Sequence, residues 1–428
     1  MEAFSSPIQI IPAGVSEPCF LLNLPMRCFQ ADKVFPINAP PLENGLVLTD
    51  ETGLILDVLP GGTKSYAGAT LLPEKLSGVL VPGFVNTHCH LELSWMKDRI
   101  QRHTGITGFV AEFVSLRGEV TEEQRQLAIA CAEQEMLANG IVAVGDISNG
   151  ASTFKTKAAG RIRYHSFIEV FDLSPARAEK VFEEALRLEV ACMDSFAAGA
   201  GVSVVPHAPY TVSPRLHTLL ANHAREQGNV LSIHNQESQA ENQLFLSGGG
   251  KIKEMYAAMG LDYSWFRHTG KSAPASYLPI YNAVPKMLLV HNTFSSAADM
   301  KMARDSSAES FPLELFWATC PNANLYIENT LPDYGAMVAS ELKVTIGTDS
   351  LASNASLSVL DELITISRHH PGIDAALLYR WACLNGAESL SMDKELGSFE
   401  KGKRPGLVLI SHTSAGKPTA NSKAVRIL

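Results

Sequence analysis

The sequence lacks an excess of basic residues and any basic cluster, and its formal charge is −9. That balance argues against nucleic acid or an anionic membrane as the main partner. No apolar run reaches the roughly 18 residues that a membrane-spanning helix needs, and the first residues, MEAF, lack the pattern of a signal peptide. The seven cysteines are odd in number and without paired spacing, which predicts free thiols in a reducing cytoplasm.

What is present is a globular composition, with 46% hydrophobic and 18% charged residues in a chain of 428. This length allows one large barrel plus a smaller unit. Short apolar runs near the start lie at 20–22, 45–48 and 54–59, separated by Pro, Gly, Asn and Asp. They predict small antiparallel strands joined by turns.

From residue 81 the pattern changes to strands that alternate with helical stretches. Eight candidate strands follow, at 80–85, 141–146, 162–170, 202–205, 230–233, 287–290, 315–319 and 344–346. The crossovers between them are long enough for helices, which favours a parallel (β/α)8 barrel in an α/β fold. A doubly wound open sheet is the alternative, but no Gly-rich phosphate loop opens any of its helices.

After the barrel, the pattern of short strands returns, at 397–403 and 407–410. The simplest arrangement pairs these strands with the N-terminal ones, so that both ends of the chain build one all-β unit. The sequence therefore predicts three segments: 1–80 and 391–428 as the two parts of a β-sandwich, and 81–390 as the barrel.

Polar residues end several of the barrel strands, where the active sites of such barrels lie. They are His88, His90, His207, His234, His291 and Asp349. Because side chains alternate along a strand, His88 and His90 point to the same side. Taken singly, His234 could be a core histidine and Asp349 a helix cap. Together they predict a metal site, since imidazole and carboxylate are ligands that a hydrolytic zinc ion accepts.

Three histidines and one aspartate would leave one position of such an ion for water, whose pKa the cation lowers. We choose His88, His90, His234 and Asp349 as this set. Glu237, three residues after His234, is a candidate for proton transfer, although a capping or surface glutamate is the simpler interpretation of that residue alone. His291 is a candidate for orienting the water. No lysine ends the fourth strand, so one metal is favoured over a bridged pair.

Substrate contacts are predicted for four further residues. Trp95 follows the His88 motif and could stack on a flat heterocycle, with ordinary packing as the alternative. Glu92, Glu169 and Tyr210 could hydrogen-bond a ring or ribose edge, but either glutamate could instead pair with an arginine such as Arg163.

Six motifs together resemble the amidohydrolase superfamily. They are residues 82–90, His207-Ala208-Pro209-Tyr210, His234 with Glu237, His291-Asn292, residues 320–324, and 347–350 with Ser353-Asn354. They are most similar to the aminohydrolases that act on guanine, cytosine, adenosine-type nucleosides and chlorinated triazines. The run His90-Leu91-Glu92-Leu93-Ser94 looks most like the aminodeoxyfutalosine deaminase subgroup. Residues 404–406 depart from the usual pattern, and so do the surroundings of the Asn322-Ala323-Asn324 loop.

The resemblance implies a distorted (β/α)8 barrel with a composite β-sandwich and one divalent metal, zinc or iron. It supports the ligand, proton-transfer and water-orienting roles given above, and it adds a substrate contact for His207. It also implies a homo-oligomer, most simply a dimer, acting on a small molecule in the cytoplasm.

The expected activity is hydrolytic deamination of an aminated heterocycle, purine-like or nucleoside-like, with release of ammonia. Hydrolysis of a cyclic amide or an N-acyl group by the same centre is the alternative, because fold and site do not name the leaving group. A catalytically silent binding protein is a third interpretation. The long segment 248–276 after the fifth strand could fold over the site or be a surface excursion.

Overall fold

The computed structural model describes residues 26–172, 174–196, 201–308 and 313–428. The strand predicted at 20–22 lies outside this part of the chain. Among the residues described, no helix combines the length and the apolar character needed to cross a bilayer.

The chain first forms short strands that lie outside the barrel. They are β1 Met26–Val34, β2 Leu42–Glu43, β3 Leu46–Asp50, β4 Ile55–Leu59, β5 Ser65–Tyr66, β6 Ala69–Thr70 and β7 Glu74–Pro82. Strands β5 and β6 form a small hairpin of their own. Strand β1 is the centre of the larger sheet, antiparallel to β3 and parallel to β7.

Eight parallel strands follow, as the sequence predicts. They are β8 Phe84–Cys89, β9 Ile141–Ser148, β10 Arg163–Val170, β11 Gly201–Pro206, β12 Val230–Asn235, β13 Lys286–His291, β14 Glu314–Thr319 and β15 Val344–Ile346. They form two four-stranded sheets, β8 to β11 and β12 to β15. At one seam the amide of His234 donates to His207 O (2.9 Å), and at the other the amide of Thr348 donates to His88 O (3.0 Å). The two sheets together make the distorted (β/α)8 barrel.

Helices connect these strands and cover the barrel. They are α1 Gly105–Leu116, α2 Glu122–Ala138, α3 Phe154–Ala158, α4 Ala178–Ser195, α5 Pro214–Gln227, α6 Gln239–Ser247, α7 Lys251–Ala258, α8 Ala273–Tyr277, α9 Ala297–Ala308, α10 Pro321–Glu328, α11 Tyr334–Ala339, α12 Val359–His369, α13 Ala375–Arg380 and α14 Gly386–Ser389. Helix α2 begins at a capping box formed by Thr121 and Gln124. Helix α5 has Ser213 as its N-cap and ends at Gly228, whose φ of 68° suits glycine.

The last two strands, β16 Leu407–Ser411 and β17 Lys423–Arg426, complete the outer sheet. Strand β16 pairs antiparallel with β7, which confirms that both ends of the chain build one β unit. The strand predicted at 397–403 is wrong. Among the other described residues, its backbone bonds only Pro36, through Phe399 N, and Ile55, through Gly402 N and Lys403 O, so no ladder runs along it. The division into three segments stays a prediction.

The barrel strands are largely buried because they are covered on both faces, and every residue of β9 is buried. Gly83 lies where the outer sheet passes into the barrel. A Cβ there would lie 2.3 Å from Val142 Cγ1 and 2.6 Å from Pro405 O. Only glycine lets the chain cross at this point, so Gly83 brings β8, with its histidines, into the barrel wall.

Candidate metal centre

Three histidines meet at the carboxyl ends of β8 and β12. Ligand nitrogens of His88, His90 and His234 lie within 4.8 Å of one another, and His88, His291 and Asp349 form a second such group. The Nε2 atoms of His88 and His90 are 3.2 Å apart. Asp349 Oδ1 lies 3.4 Å from His90 Nε2 and 3.6 Å from His88 Nε2. The structure therefore brings together all four residues of the predicted ligand set.

The backbone around Asp349 is held against the end of β8. The amides of Thr348 and Asp349 both donate to His88 O, each at 3.0 Å. Gly347 permits this approach, because a Cβ there would lie 2.8 Å from His88 Cβ and 2.9 Å from Cys320 Sγ. Asp349 itself has φ 57°, a left-handed conformation that non-glycine residues seldom adopt. Strain of this kind persists only where neighbouring contacts impose it, which is typical of functional sites.

His88, His90, His234 and Asp349, called the cluster below, have protonation states that suit the binding of a cation. Burial lowers the pKa of His88 and His234, and it lowers that of His90 to about 3, so all three imidazoles are neutral at pH 7. Burial opposes ionisation of Asp349, but hydrogen bonding to His88 and the nearby histidines outweigh it and hold its pKa well below the usual range. Neutral imidazoles and an ionised carboxylate are the forms in which these side chains bind metal.

Hydrogen bonds to neighbouring residues orient the side chains of the cluster. The carbonyl of His207 can only accept, so His234 Nδ1 carries the hydrogen it donates to that oxygen at 2.7 Å. This leaves His234 Nε2 with a free lone pair, a common arrangement for metal-binding histidines. The hydroxyl of Ser353 donates to Asp349 Oδ2. A third group, Glu169 with His207 and His234, also lies within 4.8 Å. Towards Glu169, His234 presents its protonated Nδ1, which cannot bind a cation. This third group therefore does not make an independent metal site.

Glu237 and His291 lie at the edge of the cluster. Glu237 Oε1 is 3.6 Å from His291 Nε2. Asn324 Oδ1 is 2.8 Å from His291 Nδ1. If Nδ1 donates to that amide oxygen, Nε2 is left to accept from the centre of the site. Burial raises the pKa of Glu237 to about 7, with His291 opposing the shift. A carboxyl group that titrates near neutral pH suits proton transfer.

Two further buried acids, Glu169 and Glu92, lie beside the cluster. Glu169 Oε1 is 3.6 Å from His234 Nδ1 and has no hydrogen-bond partner. Asn149 joins the pair, since its side-chain amide donates to Glu169 Oε2 (3.1 Å) and its backbone amide to Glu92 Oε1 (3.2 Å). Burial raises the pKa of Glu92 to about 7 and that of Glu169 to about 8. Neither acid pairs with Arg163, which binds Glu395 at 2.6 Å instead.

The remaining predicted contacts are placed at different distances from the cluster. His207 stacks near His234, with ring centroids 4.7 Å apart. Tyr210 is buried, and after burial the charge of Glu237 is the largest influence raising its pKa. Trp95 lies outside the cluster. The guanidinium groups of Arg99 and Arg125 lie over its ring, so its role as a stacking surface stays a prediction.

The segment that follows α6 packs beside this site through one tyrosine. The hydroxyl of Tyr263 donates to Tyr210 O at 2.6 Å. Trp265 and Phe266 pack against Tyr263 rather than pointing separately into the centre, with ring centroids 5.0 and 5.2 Å away. Arg267 is exposed and donates to backbone oxygens of its own loop.

Sequence reasoning missed Asn149 and gave Asn324 no role. Asn149 follows β9 directly, so the rule that polar residues at the carboxyl ends of barrel strands are functional would have found it. Asn324 lies inside α10, where no strand end marks it. Its contact with His291 joins residues 33 positions apart and needs the folded barrel to be seen.

His217 on α5 supports the loop that carries His207, and it gives a prediction. Its Nδ1 contacts the Tyr281 hydroxyl (2.6 Å) and its Nε2 lies 3.4 Å from Pro209 O.

Burial lowers the pKa of His217 to about 4, against about 6.5 when unfolded. The neutral ring therefore contributes stability above pH 6.5 that is lost as the pH falls towards 4. When the pH is lowered from 7 to 5, the free energy of unfolding measured in urea should fall by about 1–2 kcal/mol more in the wild type than in His217→Gln. Equal losses in both proteins would contradict the assignment.

The comparison with known protein families agrees with this geometry. The model of the amidohydrolase family matches residues 79–427, which is most of the chain. The chain belongs to the amidohydrolase family. As an amidohydrolase it carries a histidine-rich candidate metal site in a (β/α)8 barrel, and its family consists of hydrolases that act on small molecules.

Among curated proteins, this amidohydrolase is similar to the aminodeoxyfutalosine deaminase of Deinococcus radiodurans, with 28% identity over 322 residues, covering 73% of each chain. Among solved structures, it resembles the aminofutalosine deaminase of Helicobacter pylori in complex with methylthio-coformycin, with a TM-score of 0.75, 23% identity, and coverage of 94% of this chain and 100% of that one. An adenosine deaminase from Xanthomonas campestris with bound zinc gives a TM-score of 0.70 at 22% identity, with coverage of 92% and 87%.

Proposed function

We propose that this protein hydrolyses the exocyclic amino group of a purine-like nucleoside and releases ammonia. The observation that carries the proposal is the meeting of His88, His90, His234 and Asp349 beside one acid, Glu237, whose pKa is about 7. The names of the similar proteins support it, since the relative from Deinococcus radiodurans and both structural neighbours are deaminases.

We assign His88, His90, His234 and Asp349 as the ligands of one divalent metal. Zinc is the proposed ion, because its preferred nitrogen and oxygen donors are those present and a structural neighbour contains it. Iron(II) accepts the same donors and is the alternative. When bound, the ion lowers the pKa of water and polarises the atom under attack.

The protein's own groups then move the protons. His291 Nε2 and Asp349 are placed to hold the attacking water by hydrogen bonds. Glu237 accepts a proton from that water and delivers one to the ring nitrogen next to the carbon under attack, as a carboxyl with a pKa near 7 can do in both directions. The oxygen of the deprotonated water adds to the carbon. The added hydroxyl then gives its proton to the exocyclic amine, the C–N bond breaks as the C=O bond forms, and ammonia leaves.

The rest of the substrate is proposed to enter a cavity of about 660 Å³ beside the cluster. Glu92 and Asn149 form its inner wall, and both are connected to Glu169 at the metal centre. A volume of this size suits a nucleoside with an additional substituent. The two buried acids are placed to recognise the hydroxyl groups of a sugar.

Three hydrogen-bond donors of the cavity wall are open to a ligand. Arg117 and Lys155 line the cavity, and neither forms an ion pair within the part of the chain that the structure describes. The indole N–H of Trp95 is buried without a partner. These three groups fit an acceptor-rich or anionic substituent on the sugar.

Arg117→Gln is therefore expected to raise KM about tenfold for a nucleoside whose substituent carries an acid, because one charge-assisted hydrogen bond is lost. KM for the same nucleoside without the acid should not change, and kcat should stay within about twofold of wild type. Arg215→Gln is the control, since Arg215 pairs with Glu179 on the surface and does not line the cavity. An equal rise in KM for both substrates would exclude the assigned role of Arg117.

The reaction itself is tested by measuring ammonia from a panel of aminated purines, nucleosides, pterins and triazines. Cyclic amides and N-acyl compounds are assayed in parallel for new carboxylate groups. Ammonia from a purine nucleoside at the highest kcat/KM supports the proposal. Carboxylate formation as the faster reaction would favour an amidase with the same centre, and no turnover of either class would favour a binding protein.

A further inference from the structure

A buried lysine lies behind the metal centre and takes no part in the proposed reaction. The ammonium of Lys157, on α3, and the carboxylate of Asp146, on β9, are both fully buried and 2.6 Å apart. Lys157 also donates to the hydroxyls of Ser148 (2.8 Å) and Ser166 (3.0 Å). One ion pair and two hydrogen bonds therefore surround the ammonium group.

Stability does not account for this ion pair. Taking two charges out of water costs several kcal/mol per ion, and apolar residues of similar volume often stabilise such a position equally well or better. The three partners show that the lysine is fixed in one orientation. We therefore expect this fixed ion pair to position the part of the chain that the carboxylate of Asp146 contacts.

That part of the chain lies next to the metal histidines. Asp146 Oδ1 accepts the backbone N–H of Leu91, the residue after His90, at 2.8 Å. The ladder between β8 and β9 is regular from Val85 to Asn86 but shifts by one residue before Cys89. His88 lies inside this irregular stretch, so the ladder with β9 does not set the direction of its side chain. On the other side, the amides of Thr348 and Asp349 hold only its carbonyl oxygen.

We propose that Asp146, fixed by Lys157, is a positioning residue that sets the backbone from His88 to Leu91 for metal binding. The carboxylate holds Leu91 N by a side-chain hydrogen bond, beyond Cys89, the last residue that the ladder pairs. Lys157 holds that carboxylate ionised and in one rotamer. The proposal rests on the proposed function only in that His88 and His90 are metal ligands.

Two double variants separate positioning from packing. Asp146→Asn/Lys157→Met removes both charges but keeps an oxygen that can accept from Leu91 N. Asp146→Leu/Lys157→Met removes the charges and the acceptor. Zn²⁺ affinity is measured by competition with a chelator, and the unfolding temperature of the metal-free protein is measured on the same samples.

The asparagine variant should bind Zn²⁺ within about threefold of wild type, and the leucine variant about 10–100-fold more weakly, as expected for loss of a group that orients a ligand. If the leucine variant does not fold, Asp146→Thr/Lys157→Met replaces it, because threonine suits a strand but its hydroxyl is too short to reach Leu91. Equal affinities in the variants with and without the acceptor overturn the proposal. Wild-type protein that binds no Zn²⁺ would instead contradict the proposed function.

Discussion

Replacing Glu237 with glutamine is expected to lower kcat for nucleoside deamination by about 10²–10⁴-fold, the range that general acid–base catalysis supplies. Glutamine has nearly the same shape but neither accepts nor delivers the proton that the ring nitrogen needs. The carboxylate of Glu237 lies 3.6 Å from His291 and is not one of the four proposed ligands. Metal content should therefore stay at its wild-type value while turnover falls.

Glu226→Gln is the matched control, because it makes the same chemical change at an exposed position near the end of α5. Its kcat should equal that of the wild type. Stopped-flow measurement of a single turnover separates the chemical step from product release. A Glu237→Gln enzyme with near-normal single-turnover rates would remove Glu237 from the proton-transfer step.

The second large effect is expected from His234→Asn. The asparagine amide can replace Nδ1 and keep the hydrogen bond to His207 O, so only the Nε2 lone pair is lost. Four ligands share an apparent binding free energy of about 10–16 kcal/mol in protein zinc sites. One ligand is then worth about 3–4 kcal/mol, and metal affinity should fall about 10²–10³-fold, since about 1.4 kcal/mol is tenfold.

His412→Asn is the control for this variant. His412 is exposed and has φ 53°, a conformation that asparagine adopts readily, so folding and metal affinity should not change. Metal content after dialysis against a chelator compares the two proteins directly. Wild-type metal affinity in His234→Asn would show that His234 is not a ligand.

The barrel could be predicted from the sequence because its strands are continuous apolar runs with polar residues at their ends. Those ends converge in any (β/α)8 barrel, which is why the sequence alone groups His88, His234 and Asp349. The strand predicted at 397–403 was wrong for a related reason. Phe399 is buried and resembles a strand residue, but the loop around it crosses other segments at single points.

The groups that orient the site could not be predicted. Asp146 ends the strand predicted at 141–146, but its contact with Leu91 depends on an irregular register that no local pattern encodes. The contact between Asn324 and His291 likewise joins a helix to a strand end. Trp95 is a different case, since its position after the His88 motif predicts a stacking surface, and the arginines that lie over its ring leave that role a prediction.

A metal titration tests the central claim most directly. Metal-free protein receives Zn²⁺ in increasing amounts, and the initial rate of ammonia release from an aminopurine nucleoside is measured at each ratio. If His88, His90, His234 and Asp349 bind one ion that the reaction needs, the rate rises in proportion to added metal and stops rising at one ion per chain. Full activity in the metal-free protein, or a rate that keeps rising to two ions per chain, would contradict a single essential cation.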